Sequence, residues 1–113
     1  MTAKNILIQA PPYPVEKAIK NLGANLRTAR LRRNLTIAEV GEKIGTGPRA
    51  VSDAERGKIS TGIAVYTALL WVYDLLEPMN ELADPAFDAE GLSLSSLKDR
   101  ARARAKEGLD NDF

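Results

Sequence analysis

Apolar residues recur along this chain at helical spacing. Val15, Ile19, Leu22, Leu26 and Ala29 follow one another at intervals of three and four. That is the single stripe of an amphipathic helix. Pro14 suits its first turn, where a proline gives up no helical hydrogen bond. Gly23 interrupts the stripe and predicts a bend or break. A second stripe, Ile37, Val40 and Ile44, follows Thr36, with Glu39 three residues on. Thr-x-x-Glu is a capping box, in which each side chain satisfies an amide at the other end. Gly45-Thr46-Gly47-Pro48 breaks this helix and starts a third, with Gly47 as cap and Pro48 in the first turn. The third helix runs to Arg56 and stops at Gly57. Val51 and Ala54 form its inward face.

A further helix, Thr61–Asp74, is apolar almost all round: Ile63, Val65, Tyr66, Leu69, Leu70, Trp71, Val72 and Tyr73, with Leu75 and Leu76 just after it. One reading is a central helix buried on all sides. The other is that the excess marks an interface, with Trp71, Tyr73, Leu75 and Leu76 facing a second copy in a homodimer. Near the start, Ile6-Leu7-Ile8 is a short apolar run closed by Pro11-Pro12. It reads either as a strand that adds to a partner chain or as a loose arm. The chain therefore divides into an arm (1–14), a helical domain (15–83) and an extension (84–113). In the extension, 92–106 has helical composition and 108–113 that of a disordered end. Phe113 is a candidate aromatic anchor for a partner.

Composition narrows the chemistry. The chain has 113 residues, one domain's worth, with no cysteine and no histidine. Disulfides, Ser-His-Asp and Cys-His catalysis are thereby excluded, zinc nearly so, and the acids are scattered. The expectation is a protein with no metal or cofactor that is not an enzyme. No apolar run is long enough for a membrane span, and the first residues lack a signal-peptide core, so a cytoplasmic, nucleoid-associated protein is expected.

Sixteen bases and fifteen acids nearly cancel, but they are unevenly placed. Between Glu16 and Lys58 ten Lys or Arg stand against five Asp or Glu, whereas from Ile59 to Glu90 there are six acids and no base. A basic part followed by an acidic part suggests one face directed at a polyanion. Arg27, Arg32, Arg33, Lys43, Arg49 and Lys58 fall on that expected side. Two short helices joined by a glycine turn are the helix-turn-helix pattern. Pro48, Arg49, Ser52 and Asp53 would then face a major groove. Arg49 can pair with guanine O6 and N7. Asp53 can accept from a cytosine amino group or orient Arg49 four residues earlier. A solvated pair on a helix surface is the plainer alternative.

These residues resemble a known family. Leu26-Arg27-Thr28-Ala29-Arg30, Leu35-Thr36 and Val51-Ser52-Asp53-Ala54-Glu55-Arg56-Gly57-Lys58 look like the xenobiotic-response-element (Cro/C1-type) helix-turn-helix family over about 23–76. The resemblance implies an all-α, compact five-helix, lambda-repressor-like fold with its first helix at Ala24–Arg33. It implies a structural ion pair between Arg30 and Glu55. It implies phosphate contacts from Arg27, Thr36, Lys43, Gly47, Lys58 and Ser60. It also implies a homodimeric repressor on a pseudo-palindromic operator. The chain departs from the family pattern at Ile37, where glutamine is usual, at Gly41, where alanine is usual, and at Gly47, where serine is common.

The stretches Leu82-Ala83-Asp84-Pro85, Asp88 to Leu92 and Arg100-Ala101-Arg102-Ala103-Arg104 resemble HipB-type antitoxins. That resemblance implies autorepression and a HipA-type kinase toxin as partner. The residues leave open a stand-alone phage-type or metabolic repressor, and a protein-interaction module on the same scaffold. The Arg-Ala tail would touch DNA phosphates, dock on an acidic partner, or stay solvated.

Overall fold

The computed structural model describes residues 5–111, with side chains through 108. Among the described residues there are six α-helices and no strand: α1 (Ile6–Gln9), α2 (Tyr13–Arg32), α3 (Ile37–Ile44), α4 (Pro48–Glu55), α5 (Ile63–Val72) and α6 (Ala89–Asn111). Two short 3-10 turns, Glu77–Glu81 and Pro85–Phe87, lie between α5 and α6. The all-helical expectation holds. The chain forms two compact units, one ending at Glu77 and one beginning at Pro78.

The first unit has the core. Leu26 and Ala29 of α2, Val40 of α3, Val51 and Ala54 of α4, Tyr66 and Leu69 of α5, and Tyr73 just beyond it are all buried. Ile19, Leu22, Ile37 and Ile44 pack against them half-buried, so the second stripe faces inward and the first does so from Ile19 on, while Val15 is exposed. The second unit contains no buried residue among 78–108.

Local chemistry sets most helix ends. At α3 the Thr36 hydroxyl accepts from the Glu39 amide at 3.1 Å, and the Glu39 carboxylate accepts from the Thr36 amide at 3.1 Å. Gly45 ends α3 in the left-handed region at φ +82°, where a side chain would be strained. Asn34 and Asp74, with positive φ, end α2 and α5 in the same way. The Leu35 and Leu75 amides then reach back to the Arg30 and Leu70 carbonyls at 3.3 and 2.8 Å.

Several expectations are corrected. Ile6-Leu7-Ile8 is not a strand but lies in helix α1, whose first turn is capped by the Asn5 side chain accepting from the Ile8 amide. The first bundle helix begins at Tyr13, not Ala24, and passes through Gly23 without a break. The reason is packing. A Cβ at Gly23 would collide with the Ala54 and Glu55 carbonyl oxygens and the Gly57 amide. Glycine lets the two helices touch; it does not bend one. The apolar helix is shorter than expected, Ile63–Val72. Helix α6 continues to Asn111, through part of the end expected to be disordered, and Phe113 lies outside the described residues.

Candidate nucleic-acid interface

Helices α3 and α4 pack together across the three-residue turn 45–47, and their close approach is dictated by small residues. Gly41 is buried, and a Cβ there would stand 2.9 Å from the Thr46 carbonyl oxygen. The alanine usual at this position therefore has no room here. Gly47 caps α4 and Pro48 opens its first turn, as the sequence suggests, but glycine supplies no side-chain hydrogen bond to the free amides.

Helix α4 is held from behind. The Arg30 guanidinium donates Nε to Glu55 Oε2 at 2.6 Å and Nη2 to Glu55 Oε1 at 3.0 Å. Its third arm donates Nη1 to the Leu35 carbonyl at 2.9 Å. Both side chains are buried, at 9% and 5% exposure. The hydrogen bonds from Arg30 meet the carboxylate two-pronged, the geometry that suits a planar fork, and the bond to Glu55 raises the Arg30 pKa despite burial. Gly23 and Gly57 complete the contact. A Cβ at Gly57 would meet the Lys20 Cα at 2.6 Å, and Gly57 itself takes φ +67°. The end of α4 is thus tied to α2 by an ion pair and by two backbone contacts.

The other side of α4 is open. Pro48 and Arg49 are exposed and Ser52 half-buried, while Val51, Ala54 and Glu55 point inward. Arg49 has no ion-pair partner among the described residues. Of the candidate phosphate contacts, Arg27, Thr36, Lys43, Gly47, Lys58 and Ser60 are all exposed.

Asp53 departs from expectation. It does not orient Arg49. Its Oδ1 accepts from Arg56 Nη2 at 2.5 Å, and its Oδ2 lies 3.7 Å from Lys58 Nζ. The hydrogen bond from Arg56 is the main cause holding this carboxyl below the usual carboxylate range. Arg33 is also misplaced by the charge pattern. It donates to the Ala29 and Tyr73 carbonyls, both at 2.9 Å, and lies over the Tyr73 ring at 5.4 Å from its centroid. Arg33 therefore closes the ends of α2 and α5 and is not spare for a ligand. Arg56, which sequence reasoning passed over, stands beside Lys58 with its side chain 69% exposed. In the run Glu55-Arg56-Gly57-Lys58, an arginine two residues before Lys58 at the helix end is the sequence signal that points to it.

The candidate interface residues separate. Trp71 (62% exposed) and Leu75 are at the surface and Leu76 is half-buried. Tyr73 is 1% exposed and belongs to the core, so it is not available to a second copy. Burial pushes its phenol up, and its hydroxyl has no hydrogen-bond partner among the described residues. No helix among the described residues is long and apolar enough to cross a membrane.

Two short packed helices, the second anchored behind and open in front, are a helix-turn-helix module, the class of fold that places a recognition helix in a DNA groove. Residues 21–82, more than half of the chain, match the family model described as a helix-turn-helix domain, and the chain belongs to that family. No curated protein and no solved structure matches it. The domain is that of a DNA-binding regulator, a class characteristically without enzymatic activity.

Proposed function

We propose that this chain is a sequence-specific transcription repressor of the Cro/C1 kind that reads DNA with the first turn of α4. The observation that carries this reading is the division of α4 into two faces. Val51, Ala54 and Glu55 fasten it to the domain, while Pro48 and Arg49 stand exposed and Arg49 is not consumed by any internal pair. In this role Arg49 would hydrogen-bond guanine, with Pro48 and Ser52 against neighbouring base edges. Arg27, Thr36, Lys43, Gly47, Lys58 and Ser60 would hold phosphates and so set the register. Asp53 as a base contact is the weakest member of the set, because both its oxygens face cations of its own chain.

A homodimer on a pseudo-palindrome is part of the proposal. It would place two α4 helices about 34 Å apart, on successive major grooves. Exposed Trp71 and Leu75 support it, with Leu76 at their margin. The finer reading is autorepression by an antitoxin whose partner is a HipA-type kinase, in the cytoplasm. Its support is the tail resemblance, together with a second unit whose Leu92, Leu94 and Leu97 are all exposed. The same exposure favours the rival reading of a protein-interaction module.

The test is a mobility-shift titration with the DNA upstream of the chain's own gene, at 50 and 200 mM salt, with scrambled DNA as control. A specific complex that weakens by orders of magnitude over that range is expected, from about six phosphate contacts. Equal shifts on both DNAs, or none, would overturn sequence-specific repression.

A further inference from the structure

Asp53 is an acid placed where a DNA-facing surface would be expected to be basic. The side chain is 15% exposed, yet both cations it holds are at the surface, Arg56 at 69% and Lys58 at 49% exposure. The three residues form one small unit at the end of α4. The Lys58 amide donates to the Asp53 carbonyl at 3.0 Å, which fixes the loop, while the side chains meet above it. Beside them lies an open cleft of about 700 Å³, lined by Arg56, Lys58, Ile59 and Pro11 and by Lys20 and Glu16, which pair with each other at 3.0 Å. The two cationic heads can therefore swing off Asp53 without displacing packed groups.

We infer that Arg56 and Lys58 form a subsite for a DNA phosphodiester in which the Asp53 carboxylate is the resident anion. This rests on the DNA-binding reading above. A phosphate approaching the subsite has to displace Asp53 from two cations, so part of its attraction is already cancelled. Loose electrostatic association with any duplex is weakened. A complex registered by other contacts can still bring a phosphate close enough to capture the pair. Asp53 thereby sets specificity without touching a base, by lowering affinity for unrelated DNA.

The experiment compares wild type, Asp53→Asn, Arg56→Gln/Lys58→Gln and the triple variant, on upstream DNA and on an unrelated short duplex. Affinity is measured across a salt series and melting temperature is recorded for each protein. Asparagine keeps the shape and an acceptor but removes the charge. Asp53→Asn should bind the unrelated duplex several-fold to about tenfold more tightly, with a log–log salt slope steeper by about one. Its preference for upstream DNA should fall. In the Arg56→Gln/Lys58→Gln background the added Asp53→Asn should gain nothing.

A gain that persists in that background would make Asp53 a general repulsive charge and overturn the subsite. A loss confined to upstream DNA, with an unchanged salt slope, would make it a base contact and overturn the inference as well. A lowered melting temperature with weaker binding to both duplexes would give Asp53 a structural role instead. If wild type binds upstream DNA selectively and Asp53→Asn is unchanged, only this inference falls. If no variant binds any duplex, the DNA-binding reading falls with it.

Discussion

Helix α4 carries two carboxylates two residues apart, each paired with arginine, and the two regions around them behave differently. Glu55 faces inward and shares a buried, fully hydrogen-bonded pair with Arg30. Asp53 faces outward and shares its charge with Arg56 and Lys58 at the surface. The chemistry of the partners is nearly the same, and the dielectric around them is not. In the buried pair, losing one member strands a charge where water cannot reach it. In the outer cluster both cations are open to water and salt, so the pairing contributes less to folding and stays open to exchange. The same side-chain types thus fix the position of a helix on one face and leave the other face exchangeable.

The comparison breaks most readily at Glu55. Glu55→Ala should cost about 3–5 kcal/mol of folding stability, because Arg30 remains buried without its counter-ion. Thermal and denaturant unfolding would register this as a marked fall in melting temperature. A melting temperature within a degree or two of wild type would mean that the inner pair resembles the outer one.

The outer face is sharpened by Arg49→Ala. It should weaken binding by about 1–3 kcal/mol and relax preference at one guanine position, with no change in melting temperature. Binding-site selection on randomised duplexes is the measurement, and an unchanged preference counts against the readout role.

Gly23→Ala probes the inner contact without touching charge. Its methyl would press on the last carbonyls of α4, at an expected cost of about 1–3 kcal/mol by calorimetry. An ordinary helix glycine would instead gain stability on becoming alanine. The sign alone decides between a contact and a hinge.

Tyr73→Phe should have the smallest effect, a gain of up to about 1 kcal/mol, since the hydroxyl lost has no hydrogen-bond partner among the described residues. Its pH dependence is the clearer readout. Burial raises this phenol in the folded state, so the stability it contributes is full below the ordinary phenol value near 10 and is lost as pH rises through the folded value. Urea midpoints above pH 10 should therefore fall less steeply in Tyr73→Phe than in wild type.

Much of this fold is legible in the sequence where the determinants are local. The Thr36–Glu39 box, the glycine cap at 45 and the stop at Gly57 each depend on residues within a turn of one another. The buried faces of α3 and α4 follow from spacing alone. The features that escaped are those decided by distant residues. Gly23 reads locally as a breaker, and only the approach of α4 shows that the missing side chain makes room. Arg33 reads as a surface cation, but its second donor reaches a carbonyl forty residues on. Tyr73 and Trp71 look alike in an apolar run, and only the tertiary packing buries one and exposes the other. The ends of α2 and α5 escaped for another reason: Asn34 and Asp74 take a backbone role usually signalled by glycine. On the candidate interface, Arg49 and the cations around it are legible as residue types, whereas the capture of Asp53 by Arg56 and Lys58 depends on rotamers that no pattern encodes.

The way α2 grips α4 also bears on how such a protein could change over time. The residues that seat α4, namely Val51, Ala54 and Glu55, are interleaved with those that face outward and are not the same residues. Substitutions at 48, 49, 52 and 53 can therefore accumulate while the domain keeps its shape. If this face reads DNA as proposed, it can drift to a new binding sequence through folded intermediates, and the same division makes α4 a practical place to engineer one.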